Sequence, residues 1–437
     1  MISRSSLCLM ASLVRDGAIT PTELVEEHLR QIGRRNPSLN AFVAVRAEEA
    51  LDEARALDRC DAFGMLYGVP ITVKDSFDMA GMATRVGCPS RPDTPAGADA
   101  TVVARLRRQG AVILGRTNTP EMLANYDTDN PITGRTSNPW DRARTPGGSS
   151  GGEAAAIAAY CSPGGIGSDG GGSIRIPAHF CGIAGFKPTP GRIPGTGHIP
   201  VLGHPAGLLT AVGPMARNAK DLRLLFSALA GYEAQDPFSV PAPLREPRLG
   251  QMRIGVWEQF YNVPVHAEIK QAVARAAGTL EAQSFTVEPF EPAGLERAPN
   301  VWAFLFSQWP TKPDEVKAND VLINLAARDR MRTAFVRQLE SEALAALVMP
   351  AFGVTAFHHG ETRFDIGGKQ IGFFQAAMPA VVANVLGMPA VTIPMTMSSD
   401  GVPIGVQLMG RPYEDELLLE LAIRLEEARG VWPGLAD

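Results

Sequence analysis

Hydrophobic positions change their spacing several times along this chain, and the changes delimit its elements. In ITPTELVEEHLRQIGRRNPSLNAFVAV, residues Leu24, Val25, His28, Leu29 and Ile32 share one helical face, with Thr20 or Thr22 as cap and Pro21 in the first turn. His28 on that stripe reads as a packing residue. YGVPITVKDSF alternates in a β-rich run and then turns polar, which places Lys74 at or near a strand end. The next stretch, ADATVVARLRRQGAVILGRTNTP, predicts a helix over about 100–109 stopped by Gly110, then a buried strand over 111–114. Strand, helix and strand in that order predict parallel pairing. The same alternation returns as a strand over 252–257, a helix over 267–282 and a strand over 285–289, and a last helix spans 415–429. Between 125 and 210 the chain is rich in Gly, Pro, Ser and Thr with one predicted helix, 153–159. A loop stretch of that length inside a folded chain is usually functional. With no repeat or linker in view, the expectation is a single α/β domain over 1–437, built on a large, twisted, mostly parallel or mixed sheet flanked by helices.

Composition narrows the function classes. The 437 residues are 45% hydrophobic and 20% charged, with net charge −5 and no run of basic residues, so nucleic acid is set aside as a direct partner. Five cysteines, an odd number without CxxC spacing, argue against a disulfide framework and a zinc site and suit a reducing, cytoplasmic setting. No signal peptide is recognised at the N-terminus. Residues 371–399 carry no charge and are long enough to span a bilayer, yet Pro379, Asn384, Gly387, Pro389 and Pro394 interrupt them. The better reading is a buried helix ending near 386 with Gly387 past its end, then a strand over 389–395. No metal constellation and no nucleotide fingerprint is present.

The glycine-rich run GSDGGGSIR, residues 167–175, raises the question of chemistry. A phosphate cradle needs GxxxxGK[ST] or GxGxxG opening a helix, and here Pro177 follows within a few residues. A flexible linker fits the glycines but not the flanking Asp169, Arg175 and apolar IAGF. The remaining reading is a packed loop whose N–H groups converge on an oxyanion. Upstream, Gly147, Ser149 and Gly151 satisfy GxSxG, but the preceding WDRARTP is no strand, which weakens a nucleophile elbow. His179, His198, His204, His358 and His359 are conceivable bases for a serine, but none has a distinctive setting, and each is more often a surface or satisfied loop residue. A buried Lys74 could serve as base if it were neutral; the alternative is a strand-end lysine pointing into water.

Taken together, GVPITVKD, TPGGSSGGEAAAIAA and GSDGGGSIRIPAHFCGIAGFKPT resemble the amidase signature family, in the family's order and with Ser149 and Ser173 separated by its spacing of 24. ITPTELVEEHLRQI, GRTNTPE, SNPWD, NVLGMPAVTIP and GVPIGVQLMGRP extend the resemblance over nearly the whole chain. It implies one α/β domain around a twisted mixed sheet, with the catalytic core at about 66–215. It also implies Ser173 as nucleophile, Ser149 as a serine on a cis peptide bond and Lys74 as base. The N–H groups of Gly170, Gly171, Gly172 and Ser173 match the oxyanion hole, Asp169 and Arg175 an ion pair bracing the loop, and Ser150 a hydrogen-bonding support.

Two departures stand out: Gly170 replaces the usual Thr or Ile, which predicts a looser loop, and the region 290–345 is short. Met122, Leu123 and Tyr126, with Phe373 and Phe374, are candidates for an acyl pocket. The implied activity is hydrolysis of a small or medium, partly apolar carboxamide to an acid and ammonia or an amine, with no cofactor or metal. The alternatives are the glutaminase-type subunit of a tRNA-dependent amidotransferase and a binding protein without turnover. Relatives are often dimers, which leaves a homodimer open.

Overall fold

A computed structural model describes residues 2–308 and 313–435. In chain order its strands are β1 Phe42–Val45, β2 Pro70–Lys74, β3 Val112–Thr117, β4 Gly164–Asp169, β5 Ala184–Lys187, β6 Ala211–Ala216, β7 Arg253–Val256, β8 Thr286–Pro289, β9 Leu344–Pro350, β10 Arg363–Ile366, β11 Lys369–Gly372, β12 Ala390–Met397 and β13 Pro403–Gly410. β10 and β11 form a separate hairpin. The other eleven form one mixed sheet in the order β1-β3-β2-β4-β6-β5-β12-β13-β9-β7-β8. As the helix between them predicts, β2 and β3 are parallel, and so are β7 and β8.

Every residue of β9 is buried, and alternate side chains feed two cores: Ala346 and Val348 one, Leu347 and Met349 the other. Helices Thr101–Arg108, Ala219–Leu229, Ala267–Ala282 and Asp415–Arg429 cover the first core. Helices Ala298–Trp302, Ala318–Ser341 and Met378–Val385 cover the second, which is rich in aromatic residues. The helix starting at Pro21 is closed by a reciprocal cap, Thr20 Oγ1 accepting from Glu23 N and Glu23 from Thr20 N, which decides between the two threonines. The uncharged segment 371–399 folds as read, a short buried helix stopped at Gly387 (φ +62°) followed by β12. Among the described residues no helix is long and apolar enough to cross a membrane.

Two corrections concern the segment that carries the chemistry. The stretch 125–210 is more structured than its composition predicts, because it holds β4, the helix Arg175–Cys181 and β5. The strand GGIGSD escapes pattern reading because Ile166 is its one β-former. Its glycines answer a packing demand instead: a Cβ on Gly165 would lie 1.9 Å from Glu153 Oε1 of the helix Gly151–Ala158 pressed against it. Pro177 does not prevent a helix after the glycines, since it falls in the first turn, where its missing N–H costs little. The run is therefore a strand, a turn and a helix.

Candidate active site

The parallel strands β2 and β4 are neighbours, Lys74 closing β2 and Asp169 closing β4 two residues beyond the level of Lys74. Carboxyl ends of parallel strands are where α/β sheets place ligands. Lys74 is fully buried. Its Nζ lies 2.7 Å from Ser149 Oγ, 3.1 Å from Ser168 Oγ and 3.4 Å from the Ser168 carbonyl. Burial pushes the ammonium down to about 7, although Asp169 and Glu153 act to keep the proton. A neutral amine is thus populated near pH 7, and the strand-end lysine in water is excluded.

Ser149 follows a cis Gly148–Ser149 peptide and precedes the helix Gly151–Ala158. Its loop is tied to the glycine loop through Pro177. In a regular helix the N–H at 177 would donate to the Ser173 carbonyl; proline has none, and Ser150 N donates to that carbonyl instead at 3.1 Å. The Ser150 hydroxyl is only 3.5 Å from the Ser168 carbonyl, so its main chain, more than its side chain, makes the connection. Ser173 keeps 9% exposure against 2% for Ser149 and none for Lys74, so of the three it is the one a substrate reaches.

The N–H groups of the glycine loop fall into two sets. Gly172 N donates to Asp169 Oδ1 at 2.7 Å and Ile174 N to Asp169 Oδ2 at 3.1 Å. Those of Gly170, Gly171 and Ser173 have no partner among the described residues. Gly172 therefore leaves the expected oxyanion set; its contribution is a φ of +111° that lets the chain turn. Asp169 and Arg175 form a fully buried pair, 2.9 Å apart. Arg175 also donates to Ala380 O, Gln407 Oε1 and Asn384 Oδ1. Burial acts to raise the Asp169 carboxyl, but Arg175 and the Asn384 amide outweigh it and hold the group well below the usual carboxylate range.

Aromatic side chains wall the loop. Trp302 Nε1 donates to the Gly170 carbonyl at 2.7 Å and Tyr126 Oη to the Gly171 carbonyl at 2.6 Å. Since the peptide is planar and trans, holding the Gly170 carbonyl aims the Gly171 N–H the opposite way, and holding that of Gly171 aims the Gly172 N–H at Asp169. The loop is not loosened by Gly170: a Cβ there would lie 2.2 Å from Phe306 Cε2, in space the Phe306 ring already fills while stacked on Trp302. Gly170→Thr is accordingly expected to lower unfolding free energy by about 1–3 kcal/mol, with Phe306→Ala in the same chain relieving most of that loss. Thermal unfolding of the single and double variants checks this; a neutral Gly170→Thr would refute the packing account.

Tyr126 is buried against Phe352 and Phe373, and Phe374 lies 6.2 Å from Trp302, ring to ring. Met122 and Leu123 depart from the expected pocket. They sit on a short turn, Met122 is 38% exposed, and neither joins the aromatic cluster. Among the histidines, His179 is buried between the main chains at Gly405 and Val354, His204 and His358 are exposed, and His359 pairs with Asp127 at 2.9 Å. Only His198, 2.9 Å from Ser168 Oγ, reaches the Lys74 cluster. Sequence reasoning missed Ser168, Trp302, Phe306 and Glu153, which bonds to Thr72 and Thr117, and it did not single out His198 among the histidines. It also gave Asn384 no role, though a lone amide in an uncharged segment is itself a signal of a buried polar partner.

A family model described as Amidase matches residues 23–319 and 302–419. An indoleacetamide hydrolase of Bradyrhizobium diazoefficiens is 34% identical over 96% of this chain and 86% of its own length. A glutamyl-tRNA(Gln) amidotransferase subunit of Syntrophobacter fumaroxidans is 32% identical over 94% of both chains. Among solved structures, 6-aminohexanoate cyclic dimer hydrolase complexed with substrate superposes with a TM-score of 0.89 and 29% identity, covering 99% of this chain and 98% of that one.

Proposed function

The chain belongs to the amidase signature family of amide-hydrolysing enzymes, and from that premise we propose that it cleaves a small or medium carboxamide with a flat, partly apolar acyl group. The aromatic wall carries this reading: Trp302, Phe306 and Tyr126 surround the loop bearing Ser173, and two of them bond its carbonyls. Apolar rings beside the reacting centre favour a substrate that buries area against them. The similarity to an indoleacetamide hydrolase points the same way.

Neutral Lys74 takes the proton of Ser149, and Ser149 that of Ser173, whose oxygen forms a bond to the amide carbonyl carbon. The carbonyl oxygen becomes an oxyanion facing the N–H groups of Gly170, Gly171 and Ser173, where each donor is worth about 3 kcal/mol of barrier. Collapse breaks the C–N bond, the relay returns the proton to the leaving nitrogen, and water, activated by the same path, releases the acid. Asp169, Arg175 and Ser150 hold the loops and exchange no proton. The test is a panel of short, aryl and long-chain amides assayed for ammonia or amine, with peptide mapping of the acyl adduct. Arylacetamides are expected to lead the panel with the adduct on Ser173; turnover confined to short polar amides such as malonamate overturns the substrate class.

A second reading, glutamine hydrolysis within a tRNA-dependent amidotransferase, is favoured by the 32% identity to a component of such an enzyme over 94% of both chains. It expects glutamine to be hydrolysed only in the presence of the other components of that complex.

A further inference from the structure

Lys74 hydrogen-bonds one side chain besides Ser149, the hydroxyl of Ser168, and that hydroxyl leads to His198. We infer that His198 is a positioning residue: through Ser168 it turns the amine of Lys74 so that the nitrogen lone pair faces Ser149. The inference rests on the amidase reading with Lys74 as base.

The directions of the hydrogen bonds follow one from another. His198 Nδ1 is 2.7 Å from the Pro200 carbonyl, which can only accept, so Nδ1 carries the hydrogen. Burial lowers this imidazole to about 3, so the ring is neutral and Nε2 presents a lone pair. Ser168 Oγ, 2.9 Å away, must then donate to Nε2, which leaves its oxygen as an acceptor toward Lys74 Nζ at 3.1 Å. A neutral amine has two hydrogens and one lone pair. Ser168 Oγ and the Ser168 carbonyl, at 3.4 Å, take the two hydrogens, so the lone pair is left for the Ser149 hydroxyl at 2.7 Å. Without His198 the Ser168 hydroxyl is free to turn and donate to that lone pair, occupying the electrons that Ser149 needs.

The ring is held for this task. His198 is 3% exposed, the edge of Phe77 lies against it with centroids 5.1 Å apart, and the next residue, Ile199, donates its N–H to the Ser76 carbonyl at 2.7 Å. The charged groups acting on Lys74 are Asp169 from the end of β4 and Glu153 from the helix Gly151–Ala158; the charged neighbour acting on His198 is Lys74 itself. None of the other histidines contacts the cluster, so the role is specific to this one.

The test is the rate at which a fluorophosphonate probe phosphonylates Ser173 across pH, a reaction that needs the activated serine but not the natural substrate. His198→Leu is expected to lower the plateau rate about 10- to 100-fold and to move the acid limb to lower pH, because a hydroxyl donating to the amine favours its neutral form. His198→Gln, whose side-chain carbonyl can take the Ser168 hydrogen, is expected to recover most of the rate. Ser168→Ala is expected to be slow, with His198→Leu adding no further loss in that background. A wild-type rate in His198→Leu or in Ser168→Ala, losses that multiply in the double variant, or a Gln variant no better than Leu would each overturn the relay. A wild-type chain whose Ser173 takes no probe at any pH would overturn the amidase reading and the relay with it, whereas a labelled wild type beside an unaffected His198→Leu overturns the relay alone.

Discussion

Lys74→Met is expected to lower kcat/KM by about 10⁴-fold or more and at the same time to leave the protein at least as stable at pH 7. The first effect follows from removing the base of the proposed serine relay, where loss of one member usually forfeits most of the rate enhancement. The second follows from burial. The lysine titrates near 7 in the folded chain and at the ordinary lysine value of 10.5 when unfolded, so between these values the unfolded chain holds a proton that the folded chain lacks. Stability carried by this group therefore rises with pH from about 7 to 10.5, and at pH 7 the buried lysine opposes folding. Methionine, of similar length and without charge, removes that cost and is expected to add about 1 kcal/mol at pH 7, a gain that shrinks toward pH 10. For the wild type, activity should climb with pH through about 7 and then level off. Paired kinetics and thermal unfolding at pH 7 and 10 check both halves; a Met variant retaining a tenth of the activity would remove Lys74 from the mechanism.

Arg175→Met is expected to be the most damaging substitution for stability, costing roughly 3–5 kcal/mol, because it strands Asp169 as an uncompensated buried charge. The loss reaches the chemistry as well, since Asp169 organises the N–H groups of Gly172 and Ile174 and so the shape of the glycine loop. Adding Asp169→Asn to Arg175→Met is expected to return part of the stability, by removing the stranded charge, without returning activity. Denaturant unfolding with kcat/KM for the single and double variants distinguishes this from a mere loss of packing. A double variant less stable than Arg175→Met would contradict the account.

Much of the fold was legible because it is written in local patterns. The helix that begins at Pro21, the Ala267–Ala282 helix and the stop at Gly387 each depend on a few residues whose spacing states their conformation. The motifs around Lys74, Ser149 and Ser173 were legible for another reason: their residue types, order and spacing resemble those of the amidase signature family. β4 was illegible because its glycines admit groups from other elements, Glu153 against Gly165 and Ser150 against Gly167. The helix Ala318–Ser341 was missed because it buries only a narrow stripe, Ala327, Arg328, Met331, Phe335 and Leu339, among mostly polar residues.

The α/β alternation, the three motifs that make Lys74, Ser149 and Ser173 candidates by resemblance, and the expectation that glycines surround the proposed nucleophile could all be read from the sequence, because each rests on a short run of neighbouring residues. Packing between distant segments settles which N–H groups remain for an oxyanion, that the space beside Gly170 is filled by Phe306, and that His198 reaches Lys74 through Ser168. The Phe306 and His198 contacts join segments 30 to more than 130 residues apart, and Asp169, which sorts the nearby N–H groups, is itself held by Asn384, 215 residues away. No local pattern encodes them, because the directions of their hydrogen bonds are set by what the fold packs on the far side.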